Sequence, residues 1–179
     1  MDLPSRERCM QLLEEHNLTE GMVAHSLKVT EIADYLAKKL DEAGEKINPE
    51  LVNRAALLHD IAKFKHLDDD VRHHQAGYEI LKGEFPEIAE IVKRHALDMI
   101  LEKGAFRCWE DKVVWYADKR VNHDMLASLE ERFKYLLGRY GSGSKGVKDV
   151  IELCRKPAFE LEREIMGKAG IEPELEALG

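Results

Sequence analysis

A histidine and an aspartate stand side by side in ALLHDIAK, residues 56–63, behind a run of apolar residues. Imidazole and carboxylate are the donors that zinc, manganese, iron and related ions accept. Other polar residues also fall on apolar stripes. His25 lies four residues before Val29, on the stripe that continues through Ile32 and Leu36. Asp118 shares a helical face with Val114 and Val121, and His95 follows Ile88, Ile91 and Val92. Burying such groups is costly unless they are paired, so each needs a partner. Singly, each has an ordinary account: a hydrogen-bonded core histidine, an Asp118 paired with Arg120 or with a lysine elsewhere, a solvated His95, or capping or surface residues at His73 and His74. Together, His25, His59, Asp60 and Asp118 offer one ion four ligands from three helices and leave positions open for water or substrate. That is the pattern of a catalytic rather than a closed structural site.

These side chains must be positioned by helices. Pro4 and Ser5 open a first helix through MQLLEEH. Residues 19–43 form a second, with Gly44 as its stop. Asn48-Pro49 pairs a capping side chain with a proline at the first helical position. The helix it starts carries Leu51, Ala55, Leu58 and Ala62 on one face, with His59 and Asp60 one turn from its end. HHQAGYEILKG reads as a short helix, Pro86 opens another, and residues 98–109 read as a loop. Residues 109–123 are predicted helical, and Ser128 with Glu131 is a capping-box signature for the next helix. No alternating strand segment is evident. The fold class is therefore all-α: a compact helical bundle at residues 1–140, with a linker and C-terminal helix at 141–179. Pro157 is predicted to break or kink that last helix.

The bulk numbers set limits. The chain has 179 residues, 44% hydrophobic and 35% charged, enough for one domain that folds without disulfide or metal. A net charge of −8 argues against duplex DNA as a partner, because neutralising phosphates needs a positive face. Cys9, Cys108 and Cys154 form no CxxC and read as free thiols. No signal-peptide core or membrane-length apolar run is present, so the expected location is cytoplasmic, with no membrane partner.

The order histidine, then His-Asp, then a later aspartate resembles the HD-domain superfamily of metal-dependent phosphohydrolases, in its HDIG-like form. It is carried by VAHSLKV, ALLHDIAK and YADKRV, over roughly residues 24–121. The resemblance implies that His25, His59, Asp60 and Asp118 bind metal. Many members hold a second ion with two further histidines. His73, four residues before Gly77, matches that pattern, and His95 in KRHAL supplies the other; His74 is the off-register alternative. Asp60 would bridge the two ions. One branch, which hydrolyses guanosine polyphosphates, has an asparagine four residues after the last aspartate. Asn122 stands there, one helical turn from Asp118, as a substrate-binding candidate. The GYP signature of cyclic-dinucleotide phosphodiesterases is absent.

The implied activity is hydrolysis of a phosphoester or phosphoanhydride, of a nucleotide or nucleotide polyphosphate, with water activated by metal. Asp60 and Lys63 are the catalytic candidates: Asp60 to orient water, and Lys63, one turn after His59, to contact phosphate. Lys63 reads equally well as a helix-terminal lysine. Arg72, Lys93, Arg94, Lys119 and Arg120 add positive charge near the motifs and are expected to be mostly solvated. The implied cofactor is one or two divalent ions, with manganese, iron, cobalt, nickel and zinc not distinguished. The alternative is a non-catalytic, metal-stabilised helical module that binds a nucleotide or a protein. The C-terminal segment either caps the bundle or packs on a second subunit, which leaves a homodimer open.

Overall fold

Side chains placed at the helix starts satisfy backbone N–H groups that would otherwise lack partners. Ser5 accepts from the Arg8 N–H and opens α1 (Arg6–Glu15); Thr19 accepts from Met22 and opens α2 (Glu20–Glu42). Asn48 accepts from Leu51, with Pro49 in the first turn of α3 (Pro49–Leu58). The computed structural model describes residues 3–63, 73–141 and 145–178. After α3 come α4 (His73–Leu81), α5 (Pro86–Lys93) and α6 (Trp109–Lys119), and then an antiparallel hairpin of β1 (Val121–Asn122) and β2 (Met125–Leu126). The chain ends with α7 (Leu129–Tyr140) and α8 (Lys145–Ala169). The Ser128–Glu131 capping box is formed at α7. Gly44, at φ 83°, takes the left-handed conformation that ends α2.

The centre is made by α2, α3 and α6, which pack on one another. Ile32, Leu36, Leu57, Leu58, Val114 and Trp115 are all buried there. Full burial of a large apolar side chain contributes about 1.5–3 kcal/mol, so these contacts dominate the positioning of the helices. The α4–α5 pair docks on this centre through α5 against α3 and α6. Ile151, Cys154, Ala158, Leu161 and Ile165 of α8 belong to the same buried cluster. Among the described residues no helix is long and apolar enough to cross a membrane.

The architecture is all-α apart from one small hairpin, and the local differences from expectation have physical causes. The helix expected over residues 109–123 stops at Lys119, because the Arg120 carbonyl accepts from Ala127 N–H at 2.7 Å and the chain turns back as a hairpin. His123, at φ 57°, occupies the turn. α8 runs through Pro157 without a break. Leu153, whose carbonyl loses its donor there, is on the exposed flank, while Cys154, Ala158 and Leu161 stay buried on the other. The loop expected at 98–109 begins with a 3₁₀ turn, Leu97–Leu101. α8 already begins at Lys145, so the linker is shorter than expected. The polar stretch at 65–70 and Arg72 lie outside the described residues.

Gly77 sets the distance between α4 and α5. A Cβ there would meet Val92 Cγ1 at 2.8 Å and Ile61 Cγ2 at 3.5 Å. Valine in a helix holds essentially one rotamer, so it cannot swing away. Gly77→Ala should therefore push α4 outward and cost about 1–3 kcal/mol as overpacking. A lowered melting temperature checks this; an unchanged one contradicts it.

Candidate metal centre

His25 projects from the first turns of α2. His59 caps the C-terminus of α3, and Asp60 follows in the turn. The expected continuation of α3 through Ala62 does not occur. The helix ends at Leu58, and in the turn that follows the His59 and Asp60 side chains meet, Nε2 to Oδ2, at 3.4 Å. Asp118 comes from the last turn of α6. His25, His59, Asp60 and Asp118 are all buried. His25 Nε2 lies 3.2 Å from Asp118 Oδ1 and 3.8 Å from Asp60 Oδ2. His59 Nε2 lies 3.4 Å from Asp60 Oδ2 and 3.7 Å from Asp118 Oδ1.

A second set meets the other oxygen of Asp60. His73 Nε2 is 3.2 Å and His95 Nε2 3.6 Å from Asp60 Oδ1, and the two nitrogens face each other at 2.9 Å. His73 opens α4, whereas His95 lies just beyond α5, not on it as its sequence pattern suggested. The ring of His74 stands off, with centroids 6.1 Å from His73 and 6.3 Å from His95. In the groups His25–His59–Asp60 and Asp60–His73–His95, the ligand atoms all lie within 4.8 Å of one another.

The histidine tautomers follow from backbone contacts. Nδ1 of His25 donates to the His123 carbonyl at 2.6 Å, that of His59 to Ala56 at 2.7 Å, and that of His95 to Val92 at 2.6 Å. Each of these rings therefore presents a bare Nε2 inward, the orientation that second-layer hydrogen bonds give metal-binding histidines. His59 Nε2 is buried with no hydrogen-bond partner. A buried lone pair aimed between two carboxylates calls for a cation, so these residues fit a divalent ion.

The electrostatics agree with that fit. Burial opposes charge on His59, but Asp60 and Asp118 outweigh it and raise the imidazole to about 9. A proton there occupies the field that a metal would. Burial pushes His95 down to about 3, with His73 and His59 adding to the effect and Asp60 opposing it. Burial would raise Asp60, yet Lys63 and His59 hold it well below the usual carboxylate range. Asp118 is likewise held down against burial, chiefly by Lys119 and His25.

The HD domain family model matches residues 22–137, a span containing all six of these histidines and aspartates. The chain belongs to the HD domain family. Members of this family are generally metal-dependent hydrolases. The chain is also 28% identical over 161 residues to the uncharacterized protein MJ0778 of Methanocaldococcus jannaschii, covering 82% of this chain and 93% of that protein. No solved structure matches significantly.

Within the HD domain, Lys119 and Arg120 are buried rather than solvated. The Lys119 ammonium bonds Asp118 Oδ2 and donates to the His95 carbonyl at 2.9 Å, tying one ligand set to the other. Arg120 bonds the Ala127 and Pro173 carbonyls and the Tyr116 hydroxyl. Lys93 lies over the Tyr78 ring, and Arg94 pairs with Glu90. The role of Lys119 was readable only as an excess of positive charge, because its partners come from α6 and from the segment just after α5. Lys63 Nζ pairs with Asp60 Oδ2 at 2.7 Å and is partly exposed. Asn122 is in β1, not on a helical turn after Asp118, and its Oδ1 accepts from Arg132 at 3.2 Å.

Two outcomes are expected. Metal must displace the His59 proton, so affinity should rise about tenfold per pH unit between 6.5 and 8.5 and level off near 9. The same shift stabilises the metal-free protein fully below pH 6.5, and that stabilisation is lost as pH rises through 9. Calorimetric titration at several pH values checks the first claim; a flat profile contradicts it. Lys119→Met removes the cation from buried Asp118 and should cost the metal-free protein about 3 kcal/mol. Melting with and without added metal should show part of that loss recovered by the ion.

Proposed function

We propose that the protein is a metal-dependent phosphohydrolase that cleaves a phosphoester or phosphoanhydride, with a nucleotide or nucleotide polyphosphate as substrate. One observation carries this reading: the Asp60 carboxylate is divided between two sets of imidazoles, Oδ2 facing His25 and His59, Oδ1 facing His73 and His95. His25, His59, Asp60 and Asp118 would hold one divalent ion, and Asp60, His73 and His95 a second. Such ions supply Lewis acidity, which makes hydroxide available near neutral pH and stabilises negative charge on phosphoryl oxygens.

The chain's own residues do the rest. Asp60, clamped by Lys63 and by imidazoles on both sides, stays ionised and keeps the two ligand sets in register. The partly exposed Lys63 ammonium, already on Asp60, would meet the phosphoryl oxygens as they arrive. Lys119 holds Asp118 Oδ2, so that Oδ1 is the oxygen turned toward His25 and His59. The buried rings of His59 and His95 keep bulk water from the floor of the site.

Asp60→Ala should abolish both metal uptake and hydrolysis while leaving helix content largely intact. Elemental analysis, circular dichroism and phosphate release from an aryl phosphate and a nucleotide panel, with manganese, iron, cobalt, nickel or zinc, check this. A chelator should remove activity reversibly. Full activity in Asp60→Ala refutes the proposal.

A further inference from the structure

Arg132 has the wrong surroundings for a solvated arginine. On α7 it falls between Leu129, Phe133 and Leu136, all buried, at three- and four-residue spacing. One guanidinium N–H donates to Asn122 Oδ1 at 3.2 Å, and the guanidinium carbon sits 5.6 Å from the Tyr135 ring centroid. Its Nε is buried with no hydrogen-bond partner. Among the described residues no carboxylate pairs with it; Arg6, Arg139 and Arg163 also lack an ion pair, but those three are exposed. In a chain of net charge −8, a half-buried guanidinium held in place by neutral groups and left without a counter-ion needs an explanation.

Its position supplies one. Asn122 is followed by His123, whose carbonyl fixes His25. Arg132 is thus joined to the ligand cluster through one layer of residues and makes no hydrogen bond to any ligand atom itself. A group recognised there is not the phosphoryl unit at the cluster but an anion attached to it. The planar guanidinium fork matches two oxygens of a phosphate.

We infer that Arg132, oriented by Asn122 and Tyr135, binds a second phosphoryl group, so that the substrate class is a di- or polyphosphate rather than a simple monoester. This inference rests on the hydrolase reading above. Asn122 then serves by holding the arginine rather than by touching substrate.

The test uses the metal-loaded full chain with orthophosphate and pyrophosphate as probes, read by calorimetry with metal content checked after each titration. The wild type should bind pyrophosphate about tenfold or more tightly than orthophosphate. Arg132→Gln should lose about tenfold or more in pyrophosphate affinity, against less than about threefold for orthophosphate, with metal content unchanged. Arg132→Lys, which keeps the charge and the α7 packing but not the fork, should fall between the two and guards against misreading a folding defect. A wild type that binds both probes equally overturns this inference alone, as does an Arg132→Gln variant that keeps the preference or loses metal along with both probes. A wild type that takes up metal but binds neither probe overturns the hydrolase reading together with this one.

Discussion

Everything near the centre of this HD domain turns on one buried carboxylate. Asp60 sits within reach of four imidazole nitrogens and one ammonium, and its two oxygens face different partners. A buried anion is costly unless compensated, and here the compensation comes from five side chains on four segments of the chain. Imidazole nitrogens crowd both sides of the carboxylate. His59 Nε2 has no hydrogen-bond partner, and the His73 and His95 nitrogens face each other. A divalent ion in each of the two ligand sets would supply the missing partner.

The bundle exists, in this view, to keep those donors from relaxing apart. α2, α3 and α6 pack through fully buried aliphatic and aromatic side chains, which locks His25, His59 and Asp118 to one another. The second set depends on α4 and α5, whose close approach Gly77 permits. Lys119 joins the two sets by bonding a carboxylate of one and the backbone of the other. Backbone carbonyls at Ala56, Val92 and His123 turn three rings inward. The positive groups around the site thus differ in their partners: Lys119 bonds Asp118 and the His95 carbonyl, Lys63 pairs with Asp60, and Arg132 has no counter-ion among the described residues.

Much of this was legible in the sequence. Ser5, Thr19, Asn48 and Ser128 are capping residues whose action is local, so the starts of α1, α2, α3 and α7 could be read directly. His25 and Asp118 were conspicuous because they interrupt apolar stripes. What could not be read depends on contacts between distant segments. The stop at Lys119 is imposed by the return of the hairpin through Ala127, and propensity alone does not signal it. Pro157 is tolerated because α8 is anchored by buried residues on its other flank. Lys119 and Arg120 look like surface charges until their partners at His95, Ala127 and Pro173 are known. Arg132 carried the same signal as Asp118, a polar residue among Leu129, Phe133 and Leu136, but arginine is so often a surface residue that the interruption does not stand out.

The two ligand sets place Asp60 between two candidate metal positions. The most direct measurement is anomalous diffraction from crystals of the protein loaded with manganese or zinc. Two anomalous peaks are expected, one beside His25, His59 and Asp118 and the other beside His73 and His95, with an Asp60 oxygen ligating each. Peaks located elsewhere, or none at Asp60 with the protein saturated in metal, would contradict it.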